Sequence, residues 1–412
     1  MRGRPLLFTK YTADQALLPT GTKKVMAAIF VALLVSIPFD LIPGLGFLAA
    51  NDWLKTLTRV FIFAIGALGL NILIGLGGQV SLGHAFFLGI GAYTAVVLGG
   101  SGGGELWGLG LPIWIWLPAA GLVAALVGVI VAPTAVRVRG LYLGIVTLAL
   151  VVIGGWLFRN TESATGGSQA GRNFPPFELR LWQEEKPFLS FAEDGPWFGI
   201  DLSAEAKTYF FLLVLVAVFT LVAKNIQRTR VGRAFQAIRD RDVAAEIMGV
   251  DEFRYKMLAF AISSFFAGVA GALLASFVGR MIPESWDLAL SVQLIAIVLI
   301  GGAGTVSGTL MGAGFVVIVP RFVQELTDLL KETIEEGEGV LARIGDVFIA
   351  TSGNDGGIIN TLPGSGPGLS VFQLNLVLFG LLIIAFLIFE PLGLYGIWLR
   401  IRNYWKGWPF TY

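Results

Sequence analysis

The chain contains no cysteine and only one histidine, His84, among its 412 residues. The lack of cysteine excludes disulfide bonds, thiol nucleophiles and thiolate metal centres, and a single histidine argues against a histidine-ligated metal. Charge is also scarce: 14% of the residues are charged, whereas a typical soluble domain has about 25%. This scarcity excludes a soluble enzyme, a nucleic-acid-binding protein and a disordered scaffold. We therefore expect no resident cofactor and no nucleic-acid partner.

Apolar residues make up 55% of the chain, and they are gathered in long runs. A helix needs about 20 apolar residues to cross the roughly 30 Å hydrocarbon core of a bilayer. The ten runs that reach or approach this length are 25–48, 58–76, 79–98, 111–132, 141–158, 208–223, 257–279, 288–302, 305–320 and 371–389. The sequence therefore predicts an all-α polytopic membrane protein, a bundle of about ten transmembrane helices within residues 25–389.

The charges between the runs predict the topology. Four segments are rich in lysine and arginine: 1–24, 133–140, 224–256 and 390–412. Two segments are acidic: 159–207 and 321–370. With ten spans, all basic segments fall on one side and both acidic segments on the other, and excess lysine and arginine marks the cytoplasm. We thus expect a cytoplasmic N-terminal segment (1–24), a basic cytoplasmic tail (390–412) and two extracytoplasmic acidic segments.

The predicted spans contain almost no ionisable side chains, with only Asp40, Arg59 and His84 as exceptions. An ion-coupled transporter needs such groups inside the membrane to bind its driving ion. The chain also lacks the GxxxxGK[ST] phosphate loop of an ATPase. Two alternatives follow: a stand-alone channel or facilitator for a neutral solute, or a membrane subunit that a partner drives.

The basic segment 224–256 has the pattern of two short amphipathic helices. Its apolar positions recur at helical spacing: Ala234, Ala237, Ile238, Ala244, Ala245 and Met248. Gly249 is placed to end the second helix. Amphipathic helices with an exposed apolar face suit docking into a groove on another protein. A solvated loop without a partner is the alternative.

Five sequence blocks resemble one known family. They are Gly75–Thr94, Arg139–Ala149, Thr165–Ser168, Ala237–Val250 and Gly301–Gly308. The first begins Gly-Leu-Gly-Gly-Gln-Val-Ser-Leu-Gly-His, and the fourth contains Asp-Val-Ala-Ala-Glu-Ile-Met-Gly. Together these blocks resemble the permeases of branched-chain amino-acid ABC importers, the Liv-type family, and in particular its M-type subunit.

The resemblance implies a non-catalytic membrane subunit of an importer in a prokaryotic plasma membrane. Such a permease pairs with a second, homologous permease, and two cytoplasmic P-loop ATPase subunits drive the pair. An extracytoplasmic substrate-binding protein delivers branched-chain or other hydrophobic amino acids. By position, the ATPase-coupling loop comprises Arg239, Asp242, Ala244, Ala245, Glu246 and Gly249. Urea, amides and sugars are alternative solutes, because related permeases share this scaffold.

The resemblance also places the translocation path between the two permeases. The residues predicted to line it are Gln79, Ser81, His84, Thr165, Gly166, Gly167 and Ser168. Near the glycines of the first block, backbone N–H and C=O groups that lack helical hydrogen bonds need polar partners inside the membrane. The side chains of Gln79 and Ser81 can supply them. A buried structural histidine is the alternative for His84, and a simple Gly-Gly turn is the alternative for 165–168.

Two acidic stretches, 172–207 and 321–370, depart from the family pattern. The second stretch is either a dock for the binding protein or an elaboration packed on the bundle. Both stretches leave the identity of the binding partner, and hence of the solute, open. The apolar spacing in the second stretch predicts an acidic amphipathic helix or helix pair outside the bilayer, with a break at Gly337 and Gly339.

Overall fold

Apolar helices account for most of the structure, which is a computed structural model. It describes residues 21–41, 46–103, 105–138, 140–180, 187, 189–197, 199–336, 349–350, 359–360, 369–390 and 392–407. The N-terminal segment 1–24 is therefore described only from Gly21 onward, and the tail 390–412 only as far as residue 407.

The α-helices of the described residues are α1 (Gly21–Ser36), α2 (Asn51–Leu70), α3 (His84–Gly99), α4 (Ile113–Arg137), α5 (Leu141–Asn160), α6 (Glu162–Thr165), α7 (Gly167–Ala170), α8 (Ala204–Arg228), α9 (Arg230–Ile247), α10 (Glu252–Val278), α11 (Leu288–Gly301), α12 (Val306–Glu336), α13 (Val371–Phe389) and α14 (Gly393–Gly407). A π-helical turn, Asn71–Leu76, extends α2. Tighter 3-10 turns occupy Ile37–Phe39, Gly46–Ala49 and Pro283–Ser285.

Short strands lie between the helices. They are β1 (Ser101–Gly103), β2 (Leu106–Leu109), β3 (Arg172–Asn173), β4 (Glu178–Leu179), β5 (Leu189–Ser190), β6 (Gly195–Trp197), β7 (Ile200–Leu202), β8 (Arg280–Met281), β9 (Ile349–Ala350), β10 (Ile359–Asn360) and β11 (Leu369–Ser370). The pairs β1–β2, β4–β5, β6–β7 and β3–β8 are antiparallel, whereas β9, β10 and β11 pair in parallel.

Within the part of the chain that the structure describes, seven helical segments are long and apolar enough to cross a membrane. They are Asn51–Leu76, Ile113–Thr134, Tyr142–Asn160, Ala204–Arg228, Glu252–Val278, Pro283–Gly301 and Val306–Glu325. Two shorter apolar helices, Lys24–Phe39 and His84–Gly99, fall on the predicted runs 25–48 and 79–98, and α13 coincides with the run 371–389. The prediction of an all-α polytopic membrane protein is thus confirmed. The count of ten spans and the cytoplasmic side of both termini stay predictions.

Pro38 and Pro43 in the run 25–48 predict a break near its far end, and the first helix does end at Ser36, where the chain turns in a 3-10 segment. Two other predicted boundaries need correction. The run 79–98 is helical only from His84, since residues 78–83 form an irregular connection. The predicted boundary at 321 is not a helix end: α12 continues to Glu336 as one helix of 31 residues. Its length of about 46 Å exceeds the hydrocarbon core. The predicted break at Gly337 and Gly339 lies outside the described residues.

Small residues let the helices approach closely, as expected where apolar burial cannot drive association in lipid. On α4, Ala120, Ala124 and Ala132 are fully buried, and a Cβ on the intervening Gly128 would overlap the Ser264 side chain of α10. On α12, a Cβ on Gly312 would overlap the backbone of α11. These stripes therefore form the helix contacts of the bundle.

Contacts between loops define two ends of the bundle. At the first, called the basic end, the loops around 77–79, 138–143, 225–256 and 302–305 meet. At the second, called the acidic end, β3 pairs with β8, and Arg180 Nη2 donates to the Gly110 carbonyl oxygen over 3.0 Å. The predicted cytoplasmic segments 133–140 and 224–256 thus meet at one end, and the predicted extracytoplasmic segment 159–207 lies at the other.

Candidate coupling surface and solute path

Helix α9 consists of two helices joined at a kink. Arg241 is extended in the middle of it, with φ −157° and ψ 100°, and the Asp242 carboxylate accepts a hydrogen bond of 2.8 Å from the Val243 amide just after the kink. The second helix ends in a Schellman turn, in which Val250 N–H donates to Ala245 and Gly249 N–H to Glu246. Gly249 adopts φ 83°, a value that favours glycine. The helix pair and its stop at Gly249 match the sequence prediction.

The apolar residues of α9 do not form one exposed face, contrary to the prediction. Ala234, Ile238 and Ala245 are buried against the chain. The exposed apolar surface instead lies at the far end of the second helix, where Ile247 and Met248 are 81% and 83% exposed. Val243 is exposed beside them, and these three residues form the apolar tip of α9. Helical spacing alone cannot tell which apolar residues face the bundle, so it does not identify Val243 and Ile247 as the exposed ones.

The residues predicted to couple the chain to an ATPase are distributed around this tip. Ala244, Glu246 and Gly249 are exposed on the second helix, whereas Asp242 is half-buried and caps it. Ala245 faces the chain interior, so its contacts are internal. Glu246 is therefore a charged side chain within an exposed surface that is otherwise apolar.

Arg239 joins α9 to the membrane helices. Its guanidinium Nη1 donates to the carbonyl oxygen of Gly75, at the end of the π turn of α2. A Cβ on Gly78 would lie 2.9 Å from Arg239 Cγ, so only glycine lets the arginine pack there. The exposed helix pair is thus attached to a helix that is buried along most of its length.

A second set of hydrogen bonds joins the same region to the loop between α11 and α12. Asn71 Oδ1 accepts from the Gly304 amide over 2.7 Å, and Gln227 Nε2 donates to the Gly304 carbonyl oxygen over 3.0 Å. A Cβ on Gly75 would overlap both Asn71 Oδ1 and the Gly304 backbone. We call Asn71, Gly75, Gln227, Arg239 and Gly304 the coupling node, because they link α2, α8, α9 and α12 at the basic end.

The first group of predicted path residues lies next to this node, inside the chain. Ser81 and His84 are fully buried and Gln79 nearly so. His84 Nε2 donates to the Gly66 carbonyl oxygen over 3.2 Å, while His84 Nδ1 and Gln79 Oε1 have no partner among the described residues. Gln79 also lines a cavity of about 220 Å³ that it shares with Arg239, Asp242 and Lys256.

The second group, Thr165 to Ser168, lies at the acidic end. The Thr165 hydroxyl donates to the Phe158 carbonyl oxygen over 2.8 Å and accepts from the Gly167 amide over 3.2 Å. Gly166 and Gly167 have φ of 77° and 73° and join α6 to α7. The two groups contact α5 at different levels, since the Leu82 amide donates to Thr147 Oγ1 and the Thr165 hydroxyl to the Phe158 carbonyl oxygen, about 16 Å further along the helix.

Arg172 connects the segments of the acidic end that surround this turn. Its guanidinium is 4% exposed and donates to the carbonyl oxygens of Ser163, Ala164, Val96 and Trp107. Burial lowers the pKa of this guanidinium from its ordinary value. Among the described residues, no group of three or more histidine, aspartate or glutamate side chains could hold a metal ion.

The apolar spans, their small-residue contacts and the loops at the two ends define a multi-pass membrane protein. The chain belongs to the family of permease components of branched-chain amino acid transport systems. Residues 53–387 match the family described as "Branched-chain amino acid transport system / permease component".

Individual relatives agree with this family. The chain is 33% identical over 291 residues to the high-affinity branched-chain amino acid transport system permease protein LivM of Escherichia coli (strain K12), and to the LivM protein of Salmonella typhimurium (strain LT2). Each match covers 68% of this chain and 66% of the relative, slightly under two thirds of its length. The ribose import permease protein RbsC of Haemophilus influenzae is 23% identical over 295 residues, which cover 69% of this chain and 80% of the relative. No solved structure matches the chain.

Proposed function

We propose that the chain is the transmembrane permease subunit of an ATP-binding-cassette importer in a prokaryotic plasma membrane. It translocates branched-chain or other hydrophobic amino acids, which an extracytoplasmic binding protein delivers. Its other partners are a second, homologous permease, two cytoplasmic P-loop ATPase subunits and the membrane lipid. The family and the LivM relatives support this function, and the ribose permease relative keeps a sugar as the alternative solute.

The observation that carries the proposal is the attachment of the exposed apolar tip to the coupling node. Val243, Ile247 and Met248 offer an apolar surface with Ala244 and Glu246 beside it, as a helix that docks into a groove requires. A few residues earlier, Arg239 bonds to Gly75. When the two ATPases close on ATP, movement of the docked tip pulls on the end of α2 and, through Asn71, on the loop at Gly304.

The path in this proposal runs from Thr165–Ser168 at the acidic end to Gln79, Ser81 and His84 at the basic end. Gln79 Oε1 and His84 Nδ1 lack partners among the described residues, so both atoms can bond a solute once α2 and α3 separate from their neighbours. A separation of this kind is what movement at the coupling node would produce.

Co-purification tests the proposal. The tagged chain is extracted gently from its native membrane and the associated proteins are identified by mass spectrometry. Two P-loop ATPases and a second permease are expected, and the ligand of the co-expressed binding protein then identifies the solute. Recovery of a lone homo-oligomer whose solute flux ignores ATP would overturn the proposal in favour of a channel.

A further inference from the structure

A cavity of about 420 Å³ lies at the acidic end, where α2, α8 and α10 meet the inserted segment 172–207. We call it the acidic-end cavity. Its volume falls within the range of about 300–1,000 Å³ that small-molecule sites occupy. It is distinct from the predicted path residues, none of which lines it.

Two buried hydroxyl groups in its wall lack hydrogen-bond partners. Thr58 on α2 is 1% exposed and Ser276 on α10 is 8% exposed. Neither Thr58 Oγ1 nor Ser276 Oγ has a partner among the described residues. A buried hydroxyl without a partner costs free energy, so rotation of the two side chains towards a polar ligand group in the cavity would relieve both atoms.

The charges of the wall leave one cation uncompensated. Lys55 pairs with Glu205 of α8, with 3.4 Å between Nζ and Oε1. Arg59, one turn further along α2, has no hydrogen bond or ion pair with any residue that the structure describes. Arg59 is exposed and lines the cavity, so its guanidinium is accessible to an anionic ligand. A carboxylate matches the planar guanidinium fork.

The remaining wall is apolar and largely aromatic. Phe177 and Phe191 come from the inserted segment and are buried, and Phe277 comes from the end of α10. Thr208 closes the segment onto α8 by donating to the Phe191 carbonyl oxygen over 3.0 Å. One cation, two free hydroxyls and an aromatic wall together fit a molecule with a carboxylate head on a small apolar body.

We propose that the acidic-end cavity binds a hydrophobic α-amino acid, with its carboxylate on Arg59, its ammonium near Glu205 and its side chain against Phe177, Phe191 and Phe277. The choice of an amino acid among amphipathic carboxylates rests on the proposed function. The inserted segment 172–207 thereby forms part of a solute site on the side from which the solute arrives.

Direct binding to the partner-free chain tests this site. The purified full chain is placed in nanodiscs of zwitterionic phosphatidylcholine and titrated with radiolabelled L-leucine. Saturable binding is expected, with competition by 4-methylpentanoate, which keeps the carboxylate, and none by leucinamide, which lacks it. Absence of saturable binding, or competition by leucinamide equal to that of 4-methylpentanoate, would overturn the site.

Variants locate the binding in the cavity. Arg59→Gln should weaken leucine binding by about tenfold or more, because a charge-assisted bond is lost, and Arg59→Lys should restore part of it. Thr58→Val should weaken it by about threefold. Arg159→Gln is the matched control, since Arg159 lies at the same end, bonds within its own helix and does not line the cavity. Wild-type affinity in correctly folded Arg59→Gln and Thr58→Val variants would contradict the assignment.

A lipid headgroup is the other source of an anion for Arg59. Repeating the titration in nanodiscs with phosphatidylglycerol should leave the leucine affinity unchanged, and loss of leucine binding there would overturn the amino-acid assignment in favour of a lipid anion. The chain is tested without partners, so this result is independent of co-purification. An importer complex whose permease binds no leucine would refute the site and leave the proposed function standing.

Discussion

The two ends of the bundle differ in the hydrogen bonds that one arginine makes at each end. At the acidic end, buried Arg172 donates to four backbone carbonyl oxygens that belong to α3, α6 and β2. At the basic end, exposed Arg239 makes one bond, to Gly75, and α9 projects an apolar tip beyond it. An end with many buried bonds resists local opening, whereas an end with few exposed bonds opens easily. We therefore expect the acidic end to be the rigid end and the basic end to be the one that moves.

Arg172→Gln should have the largest effect on stability, because it leaves several buried carbonyl oxygens without a donor. We expect the free energy of unfolding to fall by about 3 kcal/mol, measured in detergent as a lowered unfolding midpoint. Arg180→Gln is the control, since that guanidinium is more exposed and its Nη2 bonds to a single carbonyl at the same end. Equal effects of the two variants would show that the acidic end is not held through Arg172.

Sequence patterns predicted an all-α membrane protein, the helix pair of α9 and its stop at Gly249, because these features follow from local periodicity and backbone conformation. They did not predict the coupling node. Arg239 and Gly75 are 164 residues apart, and Gly304 lies 233 residues from Asn71. Such contacts exist only after the helices have packed. For the same reason, the cavity wall at Thr58, Glu205 and Ser276 could not be assembled from the sequence, although the isolated Arg59 in an apolar run was a visible signal.

Gly75→Ala should disturb the basic end next most strongly. The added Cβ meets Asn71 Oδ1 and the Gly304 backbone, so the coupling node must shift, at a cost of about 2 kcal/mol. Gly314→Ala is the matched control on α12, where the added Cβ would meet no atom within 4 Å. That control should be slightly stabilising. Thermal unfolding of both variants measures the difference, and similar midpoints would contradict close packing at the node.

Ile247→Asp should leave the fold intact and weaken the binding of a docked partner. The side chain is exposed, so the free energy of unfolding should stay within about 0.5 kcal/mol of the wild type. Loss of an apolar contact at a docking surface should weaken ATPase binding by about tenfold, measured by titrating the purified ATPases onto the permease in nanodiscs. Ile200→Asp changes an exposed isoleucine at the acidic end, and a comparable loss there would mean that the tip is not the docking surface.

Arg239→Gln should lower stability only modestly and gives the clearest test of the comparison. A single hydrogen bond to Gly75 is lost, which lowers the free energy of unfolding by about 1 kcal/mol. The apolar tip is untouched, so the ATPases should stay bound while less solute is transported for each ATP hydrolysed. Arg233→Gln removes an exposed arginine of the same helix that bonds locally to Arg228, and it should leave this ratio unchanged. If both variants keep the wild-type ratio, movement does not reach α2 through Arg239. In that case the loosely held end transmits force through the Gln227–Gly304 contact instead.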